Sequence, residues 1–204
     1  MATHITLIHA NQFHDPDFAD FAAALNRLGI ATTVQSVPDQ GPTAGLEWLI
    51  PTAIIAHLSA GFFNQMGKEV YQAAKEKLAA LTANTMKKPR IEPVIYAAGQ
   101  DVSANNPYSR ALSLSADGHQ GRRFTLLLPK YTPTQDYTQI THAFLLFLEN
   151  YHSGLITENA IGYQSSGALD APVILLHYDP VTQQIAWRDH LPPDIRERLQ
   201  EERP

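Results

Sequence analysis

The residues best placed for chemistry follow the first apolar run of the chain. His9, Asn11, His14, Asp15 and Asp17 fall within nine positions. Imidazoles and carboxylates gathered this closely could serve as general acid, general base or metal ligands. Their location suits a site, because ligands of open α/β sheets bind beyond strand carboxyl ends, beside helix N-termini. Ordinary structural roles compete for the same residues. Asp15-Pro16 is a helix start, with Asp15 as N-cap, and Asp17 sits well in a first helical turn. The His9–His14 spacing matches no HExxH-type metal motif, so no metal is expected.

A second group surrounds Asp117-Gly118-His119-Gln120-Gly121, where Arg122 and Arg123 are candidate anion binders. Lys87, Lys88 and Arg90 form another basic spot. If the two spots met, they could hold a phosphate or an acidic partner; solvated loop charge is the simpler expectation. Glu149, Tyr151 and His152 lie near a helix end without suggesting a role. There is no GxGxxG, no GxxxxGK[ST] and no GxSxG, which argues against dinucleotide folds, P-loop enzymes and typical α/β-hydrolases. The motifs leave any cofactor unknown, and none names a reaction.

The elements that must position these residues follow from periodicity. Ile5 to His9 reads as a buried strand, Pro16 to Leu28 as a helix closed by Gly29, and Ile30 to Val37 as a second strand. Their size is that of a βαβ unit, which predicts parallel pairing. After the turn-rich PDQGPT, Ile55, Leu58, Phe62, Met66, Val70, Ala74, Leu78 and Leu81 recur three or four apart. That spacing predicts one long helix over 45–83, kinked or started at Pro51. Its first half, Trp48 to Gly67, has no Asp, Glu, Lys or Arg. Beyond it come a strand over 91–97, a loop over 100–108, and a hairpin of Ala111 to Ala116 and Arg122 to Leu128 turned by Asp-Gly. A helix starting at Thr132 to Gln135 buries Tyr137, Ile140, Phe144, Phe147, Leu148 and Tyr151. A strand pair, Val173 to Tyr178 and Gln184 to Arg188, and a terminal helix over 191–203 complete the order.

These elements predict one α/β or α+β domain over 1–204, a single mixed β-sheet with helices on its faces and one long apolar/amphipathic helix. Its parts are a β-α-β opening (1–43), the long helix (44–90) and a hairpin-rich remainder (91–204). An apolar content of 44% suffices for a core, and charged residues are few at 17%, against about 25% typically. The net charge of −5 argues against duplex nucleic acid. With no cysteine, disulfides and thiol chemistry are excluded. The N-terminus lacks a signal-peptide pattern, so a cytoplasmic address is the default expectation.

The uncharged tract carries the leading functional expectation. Polar Thr52, His57, Ser59, Asn64 and Gln65, together with Pro51, argue against an integral span; peripheral membrane contact stays open. Burial by protein is favoured, with Ile54, Ile55, Leu58, Phe62, Phe63 and Met66 contacting a protein partner or a second copy. The protein thus reads first as an interaction or regulatory module. The alternatives are a small-molecule or metal-dependent enzyme centred on His9, His14 and Asp17, and a membrane-acting effector using 48–67.

Overall fold

The computed structural model describes residues 4–38, 54–64, 67–88, 96–97, 100–101, 106–163 and 172–189. The chain opens as its periodicity predicts. Strand β1 (His4–Ala10) leads through a single 3-10 turn to helix α1 (Pro16–Arg27), then to β2 (Ala31–Val37). Asp15 caps α1 by accepting a hydrogen bond from the Asp17 amide at 3.1 Å. Gly29 ends it at φ +80°, a left-handed conformation that suits glycine at this position. β1 and β2 pair in parallel, from His4 opposite Ala31 to Ala10 opposite Val37.

The long helix is not present. Ile54–Leu58 is a strand, β3. A four-residue turn of helix, α2 (Gly61–Asn64), follows, and α3 (Lys68–Lys87) is a separate helix. Gly61 and Gly67 mark the breaks: Gly61 opens α2, and Gly67 caps α3 in an extended conformation. The apparent stripe arises because a short buried strand and a buried helix segment share the same apolar composition. Ile55 and Leu58 do not share a face. Ile54, Ala56 and Leu58 are buried on one side of β3, while Ile55 and His57 are only half-buried on the other. The helical stripe is real only from Val70 onward, where Ala74, Leu78 and Leu81 pack inward. Pro51 and Met66 lie outside the described residues.

Short strands β4 (Tyr96–Ala97) and β5 (Gln100–Asp101) pair with each other. Most of the expected strand over 91–97, and the terminal helix over 191–203, fall outside the described residues. The expected hairpin is β6 (Tyr108–Asp117) and β7 (Arg123–Pro129). Its turn chemistry differs from an Asp-Gly turn, because the left-handed residues are Gln120 (φ 57°) and Gly121 (φ 76°). Gly118 has another reason to be glycine: a Cβ there would stand 3.1 Å from the Phe124 ring. Helix α4 (Tyr137–His152) is capped by Asp136, whose carboxylate accepts from the Gln139 amide. It begins just after the expected Thr132 to Gln135. Strands β8 (Val173–Asp179) and β9 (Gln184–Trp187) form the last hairpin.

Among the described residues, seven strands make one mixed sheet in the order β2-β1-β3-β6-β7-β8-β9. This is the predicted class, a mixed sheet carrying helices. Register shows where the core lies. Leu7, Ala56, Leu114, Leu126 and Leu176 are successive neighbours across five strands, and all are buried. With Ile5, Leu58, Ala116, Phe124 and Ile174 they form one apolar cluster under Phe18, Leu25, Leu78, Phe144 and Leu148 of α1, α3 and α4. The described long helices therefore share one face. Alternate residues, including His57, Ser115 and Asp117, point to the other.

Two consequences follow for the site. β1 runs antiparallel to β3, with Ile5 opposite Leu58 and His9 opposite Ile54. β3 runs parallel to β6. The carboxyl end of β1 and the carboxyl ends of β3 and β6 are thus at opposite ends of the sheet.

Candidate functional site

In the cluster after β1, His9, Asn11, Asp15 and Asp17 have close partners within the protein. His9 is 3% exposed, points into the helical face, and sits against the rings of His14 (5.6 Å) and Phe18 (5.4 Å). Its Nδ1 lies 2.9 Å from the Ala10 carbonyl oxygen. Asn11 is hydrogen-bonded to Ser36. Lys88, at the end of α3, donates to both carboxylate oxygens of Asp15 (2.8 and 2.7 Å) and to Asp17 (2.7 Å). Hydrogen bonds to Asp15, then to Asp17, raise the ammonium pKa further. Lys88 is therefore a strap joining α3 to the start of α1, far from Arg122 and Arg123. Arg90 lies outside the described residues. A groove of about 180 Å3 between α1 and α3 includes Asp17, Asp20, Lys77 and Asn84 in its lining. His9 and His14 do not line it.

The expected interaction residues divide similarly. Ile54, Leu58 and Phe62 are fully buried in the core. Ile55 and Phe63 are half-buried, and Phe63 is stacked on His152 at 4.7 Å with planes 10° apart.

A different group assembles at the other end of the sheet. His57 of β3 is the register neighbour of Ser115 on β6. Asp117 follows two residues later, on the same face. The imidazole spans both, with Nδ1 3.3 Å from Ser115 Oγ and Nε2 3.3 Å from Asp117 Oδ1. Burial lowers the His57 pKa, and the Arg123 charge adds to this against the opposing pull of Asp117.

Next to this row, the hairpin turn is tied down by the last turn of α4. The Tyr151 hydroxyl accepts from the His119 amide (3.1 Å) and donates to Glu158 Oε1 (2.8 Å). Arg122 Nη1 lies 3.1 Å from the same Glu158 oxygen, and its guanidinium sits 5.6 Å over the Tyr163 ring. Burial pushes the Tyr151 phenol up to about 12. Burial would also raise the Glu158 carboxyl, but its own amide, Tyr151 and Arg122 together hold it below the usual value. His119 stacks on Tyr151 (4.6 Å) and meets His152 edge-on (5.3 Å). Burial, then His119, lowers the His152 pKa.

A cleft of about 420 Å3 opens beside this assembly, lined by Ala60, Asp117, Gly118, Gly121, Arg122, Arg123, Pro172 and Val173. It lies where β3 and β6 end and where β7 and β8 begin. The Arg123 amide donates to the Pro172 carbonyl at 2.7 Å, closing its floor. No protein family, curated protein or solved structure matches the chain. The site must be read from its geometry alone.

Among the described residues, no three His, Asp or Glu side chains converge to hold a metal ion, and no helix is long and apolar enough to cross a membrane. Adjacency in sequence groups Asp117, His119, Arg122 and Arg123, whereas His57, Ser115 and Glu158 join them only in the fold. The available signal was density. The turn from Asp117 to Arg123 holds four charged or imidazole side chains in seven positions. His57 gives no such signal, because the apolar spacing around it matches a helix while Ile54–Leu58 forms a strand.

Protonation gives a test of this end of the sheet. His57 and His152 at this end, and His177 beside Tyr108 toward the other end, have folded-state pKa values lowered by burial. Below the ordinary histidine value of about 6.5, the unfolded chain binds more protons than the folded one, so stability falls as pH falls. This contribution is complete above about pH 6.5 and is lost progressively toward the lowered values. The urea midpoint is expected to drop between pH 7 and pH 5, with a shallower slope in His57→Gln. A flat midpoint across that range would contradict the burial of these rings.

Proposed function

We propose that the protein binds a small anionic ligand in the cleft between Ala60, the 117–123 turn and Val173. The observation that carries this reading is the pairing of Arg122 and Arg123 on one cleft with Gly118 and Gly121. Guanidinium groups suit phosphate and carboxylate by shape and charge, and glycines let a ligand approach backbone. A volume of about 420 Å3 falls within the usual range for small-molecule sites. Location adds support, since the cleft lies beyond the carboxyl ends of two parallel strands.

The reading is a binding site. Ser115, His57 and Asp117 form a row that resembles a nucleophile with its base, but Ser115 is 3% exposed and is not among the residues lining the cleft. Ser115 instead orients the imidazole, and Asp117 is the member of the row that lines the cleft. Partner binding through the tract 45–83 draws no support from its described part, where Ile54, Leu58 and Phe62 are core.

Titration with inorganic phosphate and with succinate, followed by thermal shift and amide chemical shifts, tests the proposal. At least one is expected to bind, with shifts clustered at 117–123. Arg123→Ala should weaken that binding about tenfold or more, the loss of one charge-assisted pair, without changing the melting temperature appreciably. Absence of binding by both anions, or equal affinity in the variant, would sink it.

A further inference from the structure

β2 is an edge strand of the sheet, and among the described residues only Thr32 has its outward backbone groups bonded. Thr32 shows which backbone groups face outward. Its amide donates to Asn26 Oδ1 and its carbonyl accepts from Asn26 Nδ2, both at 3.0 Å. Backbone groups alternate in direction along a strand. The N–H and C=O of Val34 and Ser36 therefore face the same way as those of Thr32, while Thr33, Gln35 and Val37 face β1. Val34 is 36% exposed, and residues 33–36 are all exposed.

Edge strands are ordinarily protected by lysine, proline, a bulge or a covering element. Within Ala31–Val37, ATTVQSV, there is no charged residue and no proline. Its pairing with β1 is continuous, without a bulge. Among the described residues, only Thr32 is closed, by Asn26.

We infer that β2 pairs antiparallel with β2 of a second copy of this chain, about a two-fold axis at Gln35. The choice of occupant rests on self-complementarity. With the axis at Gln35, Val34 faces the partner's Ser36, and Ser36 faces the partner's Val34. Each pair exchanges both N–H···O bonds, so the open groups of one edge satisfy those of the other. Thr32, already satisfied, falls opposite the partner's Pro38, which has no N–H to place. An axis at Val34 would instead set Ser36 against the partner's Thr32, whose groups Asn26 already holds. Neither strand brings a charge to the contact, so no like-charge pair opposes it there. Ala19 and Ala23 lie on the same side of α1 as Asn26, at i, i+4 and i+7, and all three are exposed. These small side chains leave room for the two α1 helices on the same face of the joined sheet.

Sedimentation of the full chain tests this. The mass should rise with concentration from 22.6 kDa toward twice that value. Val34→Pro removes an outward N–H while leaving the β1 ladder intact, and Val34→Lys adds an edge charge. Both should stay monomeric with unchanged far-UV circular dichroism. Because the chain has no cysteine, Gln35→Cys reports the register directly. It would meet its own copy as a non-hydrogen-bonded pair about 4.5 Å apart, within disulfide reach, and should cross-link on mild oxidation. Thr33→Cys, facing the partner's Val37, should not. A wild-type mass of 22.6 kDa at every concentration, a dimer that survives Val34→Pro, or cross-linking by Thr33→Cys instead of Gln35→Cys would overturn the inference.

Discussion

Phe62→Glu is expected to unfold the protein rather than loosen an assembly. Phe62 is fully buried, edge-on to Phe63 at 5.0 Å and 5.8 Å from the Tyr71 ring. It joins the turn after β3 to α3. Truncating a buried phenylalanine costs about 3–5 kcal/mol by itself. A glutamate also places a carboxylate among rings with no partner, a further penalty of several kcal/mol unless it takes up a proton. Domains of this size are stable by about 5–15 kcal/mol, so the sum approaches or exceeds the total. The variant should lose its near-UV circular dichroism and its cooperative urea transition, and Phe62→Leu should keep both. A Phe62→Glu protein that unfolds at the wild-type midpoint would mean that this residue is not in the core.

Tyr151→Ala should have the next largest effect, and comparison with Tyr151→Phe separates ring from hydroxyl. The ring is buried, edge-on to Phe124 at 4.9 Å and stacked with His119. Its removal should cost about 3–5 kcal/mol, as for other large aromatics. Tyr151→Phe keeps the ring and deletes the link between the His119 amide and Glu158. That loss should be about 1–2 kcal/mol, because one partner is charged and Arg122 still pairs with Glu158. The local consequence is more specific than the stability change. With the hydroxyl gone, the 119–122 turn loses its anchor to α4, and its amides should exchange faster with solvent than those of β6 and β7. Equal costs for both variants would put the whole effect in the hydroxyl. Costs below about 1 kcal/mol for both would refute the anchoring role.

How much of this was legible before the fold was known depended on how local each feature is. Asp15, Pro16 and Gly29 bound α1 through chemistry confined to a few residues, and the spacing of Phe18, Phe21 and Leu25 reports one helix face. The stripe from Tyr137 to Tyr151 is equally local. The failure at Ile54–Leu58 has a physical origin. Burial alternates along β3, but Ile55 is apolar on its half-buried face, so the residues IIAHL do not show that alternation as a hydrophobic pattern. Its five residues were then absorbed into the genuine helical rhythm that begins at Val70.

The candidate site shows the same division. His9, His14, Asp15 and Asp17 are legible as a candidate group because they are close together in sequence. Lys88, 73 positions beyond Asp15, accounts for two of them as a structural strap. His57, Asp117, Tyr151 and Glu158 are scattered along the chain, and only the parallel register of β3 with β6 and the docking of α4 bring them to one end.

Local sequence therefore determined the caps, the amphipathic helices, the hairpin and the mixed α/β class, because each depends on side chains within one or two turns of each other. Tertiary structure decided the direction of β3 against β1, the burial of Phe62, and which end of the sheet gathers the ionisable groups. Those outcomes depend on strand pairing between distant segments, where the free energy lies in contacts that no short window of sequence contains.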